Sequence, residues 1–185
     1  MKKTVLKFGV ISGIISSVLM VATVPFIDRI GFDNGVYVGY TAITLSLLLV
    51  FVGIRSYRDN ISNGTISFGK AFIVGLLISA ISGLFYVLTW EIVYSNFLTD
   101  FGEKMTNHML EKVRASGAGP AEMAAEIERL KGIFELYRGS LLFRAAITFL
   151  EPLPVALGVT LISALILKRK PKVTDDAPNA VTSTV

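Results

Sequence analysis

Residues 141–172 read LLFRAAITFLEPLPVALGVTLISALILKRKPK. From 141 to 167 the only charges are Arg144 and Glu151, and the run stops at a basic cluster. About 20 mostly apolar residues cross the ~30 Å of a bilayer's hydrocarbon, so this stretch has the length of a membrane span. Starting it after the prolines, at Val155, leaves 13 residues before Lys168, too few to cross. Glu151, Pro152 and Pro154 therefore belong inside the apolar region. Counted from Leu141 at 1.5 Å per residue, Glu151 lies about 15 Å deep, near the midplane.

The rest of the chain has the same character. Hydrophobic residues make up 52% and charged residues 17%, against ~25% charged in a typical soluble domain. Mean hydropathy is +0.63. Three further apolar runs qualify as spans, at about residues 8–27, 36–54 and 71–94. The first follows Lys2, Lys3 and Lys7, yet its apolar part is longer than a signal peptide's ~7–15 residues, so it reads as a retained span. The sequence predicts an all-α, integral membrane four-helix bundle within residues 1–170. The net charge of +4 does not point to nucleic acid, because the basic residues flank the apolar runs as orientation signals do. The surrounding partner is the lipid bilayer.

Orientation follows from lysine and arginine placement. Lys2, Lys3 and Lys7 precede the first span; Arg55, Arg58 and Lys70 lie in the second connection, read as a tight anchored loop; Lys168, Arg169, Lys170 and Lys172 follow the last span. With four spans these groups share one side, the cytoplasm, which places both termini there. The third connection then lies outside with six basic and seven acidic residues, and long charge-balanced segments obey the rule weakly.

That connection, about residues 99–139, has helical patterning. Asp100 and Glu103 resemble a capping box. Phe101, Met105, Met109 and Val113 recur every four residues, and Met123, Ile127, Leu130, Phe134 and Tyr137 form a second stripe. SGAGP at 116–120 supplies a stop at Gly117 and a restart at Pro120. An extramembrane helical hairpin between spans three and four results, packed stripe to stripe. It either caps the bundle or docks a protein partner; a homo-oligomer is the other association considered. Residues 171–185 are polar and aperiodic and read as a disordered tail.

Gly9, Gly13 and Ser17, and likewise Gly75, Ser79 and Gly83, are spaced by four, which makes grooves where helices approach closely. His108 is the only histidine and cysteine is absent, so the three or four ligands of a metal site are not available. No HExxH, GxSxG or nucleotide-loop pattern occurs. No metal or cofactor and no enzyme activity is expected.

The intramembrane charges remain. Arg144, Thr148 and Glu151 share one face of the fourth helix at i, i+4 and i+7. Pro152 offers no N–H to the carbonyl of Thr148, nor Pro154 to that of Leu150. Bare carbonyls must face protein or a wet cavity, not lipid. An unpaired charged Glu151 costs at least ~2.5 kcal/mol, so it needs a proton or a partner. Arg144 is the nearest cation, and Glu91, near the outer end of the third span, competes for it. Two readings stand: a buried Arg144–Glu91–Glu151 network that fixes a kinked helix, or a proton or cation site at Glu151.

SYRDN (56–60), GTISFGKAF (64–72), YVLTWE (86–91) and TFLEPLPV (148–155) occur in this order and spacing. Together they resemble the bacterial membrane family known as domain of unknown function 4199, from about Lys7 to Lys168. The resemblance implies a small multi-pass protein of the bacterial inner membrane and carries over no catalytic residue. The expected role is a non-enzymatic accessory or scaffolding component, with small proton- or cation-coupled transport through Glu151 as the alternative.

Overall fold

The computed structural model describes residues 1–117 and 119–169; the tail at 171–185 lies outside them. Seven α-helices are present among these residues: α1 (Lys2–Thr23), α2 (Ile27–Ile61), α3 (Phe68–Asn96), α4 (Phe101–Ala115), α5 (Pro120–Gly139), α6 (Leu141–Leu150) and α7 (Leu153–Leu167). A 3-10 turn, Val24–Phe26, joins the first two. The only β-pairing among the described residues is an isolated bridge between Ile66 and Arg169.

Three stretches are long and apolar enough to cross a membrane: Lys2–Ile61, Phe68–Asn96 and Leu141–Leu167. The first has 60 residues and would measure about 90 Å as one straight helix. Instead it doubles back. Pro25 sits in the 3-10 turn, and Gly31 adopts φ 71°, ψ 165°, a conformation essentially restricted to glycine. Phe8 then lies against Gly53, and Ser12 Oγ donates to the Ser46 carbonyl at 2.8 Å. Partner numbers fall along α2 as they rise along α1, so the two helices are antiparallel.

The remaining register follows in the same way. Gly9 faces Ile81, Gly13 faces Phe85, and Ser17 Oγ lies 2.6 Å from Thr89 Oγ1; α1 and α3 run parallel. Gly75 faces Thr160, Gly83 faces Phe149, and α7 with α6 runs antiparallel to α3. α2 and α3 are central, with α1 and α7 each packed on both. Hydroxyls stitch the helices together: Ser12 Oγ also lies 3.0 Å from Ser82 Oγ, and Ser79 Oγ 3.5 Å from Thr160 Oγ1. Between spans, where apolar side chains gain nothing by leaving lipid, such contacts and close backbone packing carry association.

The hydrophobic core occupies one half of the bundle. Val50, Ile54, Val74, Ile78 and Ala164 are fully buried, joined by Val5, Tyr57, Ile66 and Leu167. Lys2, Lys3, Arg55, Arg58, Lys70 and Arg169 flank this half, so the three basic groups lie at one end. The outer faces of the helices are apolar: Leu88 is 62% exposed, Leu142 79% and Ile166 64%. Exposed apolar surface on this scale marks a face built for a non-aqueous surrounding or a partner.

Local details depart from the sequence reading in three places. Residues 55–61 continue α2, so the tight loop shrinks to 62–67. There Asn63 and Gly64 take positive φ and Ser67 caps α3 through the Lys70 amide. Asp100 precedes α4 without a side-chain cap; its carboxylate pairs with Lys104 at 2.9 Å instead, because a lysine one turn on offers a charged donor. α4 and α5 contact each other across Gly117 (φ 74°). Their stripes, however, are not zipped together along their length. Phe101, Met105, Phe134 and Tyr137 turn toward the bundle, which offers more apolar surface than a two-helix pair.

Candidate functional site

The half of the bundle away from the basic end is organised by charge. Ser140 ends α5 and caps α6, accepting from the Phe143 amide at 3.2 Å. This cap sets the phase of α6, and Arg144 projects one turn later toward α3. Its Nε and Nη2 donate to the Glu91 carboxylate at 3.0 and 2.6 Å. Nη1 donates to the Tyr137 carbonyl at 3.0 Å. The guanidinium lies 4.4 Å from the Tyr94 ring centroid, a cation–π distance. Arg144 is only 6% exposed. A planar fork on both carboxylate oxygens is the strong form of this pair.

Aromatic side chains seal the pair. Trp90 Nε1 donates to Tyr137 Oη at 2.7 Å, and Tyr94 meets Tyr137 edge-on at 5.8 Å. Burial pushes the Tyr137 phenol up, against the opposing hydrogen bond from Trp90. Buried Thr148 lies within reach of the same hydroxyl. Arg144, Glu91 and Thr148 therefore converge on the junction of α3, α5 and α6.

Glu151 does not join them. The helix breaks at Glu151–Pro152 and restarts at Leu153, where the two prolines withhold their N–H groups. Glu151 keeps its own amide bond to the Ile147 carbonyl at 3.0 Å. Its Oε2 accepts from Tyr86 Oη at 3.5 Å, the outer limit for such a bond. Among the described residues no cation pairs with it. Of the three-membered network that was one of the two sequence readings, only the Arg144–Glu91 pair forms. Glu91 takes Arg144 because both sit at the same height on facing helices, whereas Arg144 and Glu151 are separated by two turns of one helix.

Glu151 borders a chamber of about 430 Å³. α1 and α2 form one wall, Tyr86 and Trp90 of α3 another, and Phe101, Met105, Phe134 and Tyr137 of α4 and α5 close it from above. The Glu151 side chain is exposed, and it faces this space. Among the described residues it is the only charged side chain lining it. The α2 wall includes Gly31, Gly35 and Gly39 among larger residues such as Val36 and Ile43, and nothing beyond the local chain lies within 4 Å of where a Cβ would sit on any of the three glycines. The sequence reading missed this wall and Tyr86's contact with Glu151. The four-residue spacing of the glycines was visible, but nothing in a sequence says that a small-residue face meets empty space rather than another helix.

The residues singled out for helix packing sit elsewhere. Gly9, Gly13 and Ser17 face α3; Gly75, Ser79 and Gly83 face α6 and α7 rather than α1. Large side chains, not a second glycine face, fill each groove. His108 lies on α4 with Nε2 3.4 Å from Asp33 Oδ1 and its ring 5.1 Å from that of Phe32. Lys112 Nζ also pairs with Asp33, and Lys104 Nζ with Asp28 at 3.0 Å. These exposed pairs tie α4 to the α1–α2 turn. The Lys112 ammonium holds the Asp33 carboxyl below the usual range, with a smaller contribution from His108.

Apolar helices of membrane length, apolar outer faces and ionisable groups enclosed in the bundle define an integral membrane protein. The chain belongs to the family described as "Protein of unknown function (DUF4199)", which matches residues 7–169. No curated protein and no solved structure matches it.

Proposed function

We propose that this is a four-span protein of the bacterial inner membrane, termini cytoplasmic, that handles a proton or a cation at Glu151. The 60-residue apolar stretch supplies two of the four crossings because it folds back at Gly31. α4 and α5 form the extramembrane hairpin over the outer mouth. The protein acts by binding rather than by covalent chemistry.

One observation carries this reading: Arg144 is fully engaged by Glu91, while Glu151, midway along the last apolar run, is exposed with no cationic partner among the described residues. An uncompensated carboxyl group this deep costs stability, and it borders open space instead of a neutralising partner. Keeping such a group makes sense where its charge state is used.

The test compares wild type with Glu151→Gln in detergent, following thermal unfolding from pH 5 to 9. Glutamine keeps size and hydrogen bonding but cannot titrate. The variant should be at least as stable at neutral pH, and a pH dependence present in the wild type should vanish. A Glu151→Gln protein clearly less stable at pH 7 contradicts the reading and makes Glu151 a structural anchor. Single-cysteine variants at positions 33, 58 and 116 test the topology with an impermeant maleimide, since the native chain has no cysteine.

The accessory reading retains support from one feature. Near the α4–α5 turn an open cleft of about 680 Å³ carries Met109, Val113, Met123 and Leu130 among charged neighbours. A protein partner on this cleft would be lost from co-purification on Val113→Asp.

A further inference from the structure

We propose that the chamber above Glu151 is a binding site for an amphiphilic organic cation, with Glu151 as its counterion and the aromatic lid over its apolar body. The proposal deepens the reading of Glu151 as a functional carboxylate and rests on it.

The chamber's chemistry separates three classes of occupant. A bare proton needs Glu151 and a path but no space of 430 Å³. A bare metal cation needs about six oxygens at close range. Here Glu151 is joined only by hydroxyls from Ser16, Thr23, Tyr86 and Tyr137 along an otherwise apolar wall. An anionic or neutral lipid tail would leave the carboxylate uncompensated or repelled. A cation carrying apolar groups satisfies every element: its charge meets the single anion, and its body meets Met105, Ile147 and Phe134. The volume falls in the ~300–1,000 Å³ range of small-molecule sites.

The aromatic side chains fit the same ligand. Trp90 and Phe101 meet edge-on at 5.2 Å, and Tyr86 stands beside the carboxylate. Ring faces attract organic cations, and Trp does so best. Arg144 does not line the chamber and is occupied by Glu91, and among the described residues no cationic side chain lines the wall. The Gly31–Gly35–Gly39 face supplies the room: larger residues there would occupy the space the ligand needs.

Trp90 is the only tryptophan in the chain and it lines the chamber, so its fluorescence reports occupancy directly. The experiment titrates the full chain in a neutral maltoside detergent with tetraphenylphosphonium, whose charge does not depend on pH. Triphenylphosphine oxide serves as the neutral counterpart. Wild type should give a saturable emission change with the phosphonium and none with the oxide over the same concentrations. Glu151→Gln should weaken the phosphonium at least about tenfold, the size of effect expected when a desolvated charge pair loses one partner. Gly39→Leu, which fills the chamber while leaving Glu151 in place, should abolish the saturable change.

Equal affinity for phosphonium and oxide, or an affinity unchanged by Glu151→Gln, overturns the proposal. Should the phosphonium fail to bind while Glu151→Gln still removes the pH dependence of stability, the organic-cation site falls and the proton reading stands. Loss of both effects removes the functional reading of Glu151 as well.

Discussion

The two halves of the bundle are built on opposite principles. At the basic end, Val50, Ile54, Val74, Ile78 and Ala164 leave no accessible surface, and glycines are places where side chains of neighbouring helices press against the backbone. Toward the other end α3 has no buried hydrophobic residue between Ile78 and Val93. There Gly31, Gly35 and Gly39 of α2 face empty space, although Gly83 of α3 still meets Phe149, and the helices are held by an ion pair and a tyrosine–tryptophan contact. The same residue type thus serves close packing on some helix faces and vacancy on another. A rigid, dry half can hold the helices in register while the hollow half keeps a carboxylate accessible.

The sharpest way to break this comparison is to remove the clasp of the hollow half. Arg144→Ala leaves Glu91 buried without its cation, and breaking such a pair typically costs about 3–5 kcal/mol. Thermal unfolding should show a large loss of stability. Combining Arg144→Met with Glu91→Leu should recover much of it, because replacing both partners removes the orphaned charge. No recovery would mean that the carbonyl and aromatic contacts of Arg144, rather than the pair, hold the hollow half.

Glycine substitutions sharpen the contrast next. A Cβ on Gly9 would lie 2.7 Å from Ile81 Cβ, close to the backbone where little can yield. Gly9→Leu should cost at least the ~1–3 kcal/mol of an overpacked core. Gly39→Leu should be neutral or stabilising by up to ~1 kcal/mol, from better helix propensity in an unobstructed position. Similar losses at both positions would show that the outer half is as tightly packed as the basic one.

The smallest effect concerns the exposed pairs that tie α4 to the α1–α2 turn. Asp33 has a folded-state pKa held below its unfolded value by Lys112. Its contribution is therefore complete above the unfolded pKa and disappears as pH falls through the folded value, below about 4. Protection of the α4 amides in hydrogen exchange should weaken only under such acid, or at high salt. Asp33→Asn should produce the same slight loosening at neutral pH.

Much of this architecture was legible in the chain. Long uncharged runs, basic flanks and Gly117–Pro120 mark helices and turns through local chemistry alone. The expectation that Glu91 competes with Glu151 for Arg144 was also available from their heights in the spans. Three things were not legible. Asp100 finds a lysine rather than an amide, α2 runs about two turns further than its apolar run, and the stripes of α4 and α5 partly turn away from each other. In each case a neighbour distant in sequence, or a charge one turn away, outweighed the local pattern.

The sequence by itself determined that the chain is a bundle of apolar helices, that its basic groups lie at one end, and that a carboxylate and two prolines sit deep within it. Those features depend on composition, spacing and helix geometry, which are local. Only the tertiary structure decided that Arg144 belongs to Glu91, that Glu151 is left facing a chamber, and that Gly31, Gly35 and Gly39 border space rather than another helix. Those outcomes depend on which faces meet and at what height. Periodicity marks a face as small or polar, but what stands opposite it is fixed by packing across the whole bundle.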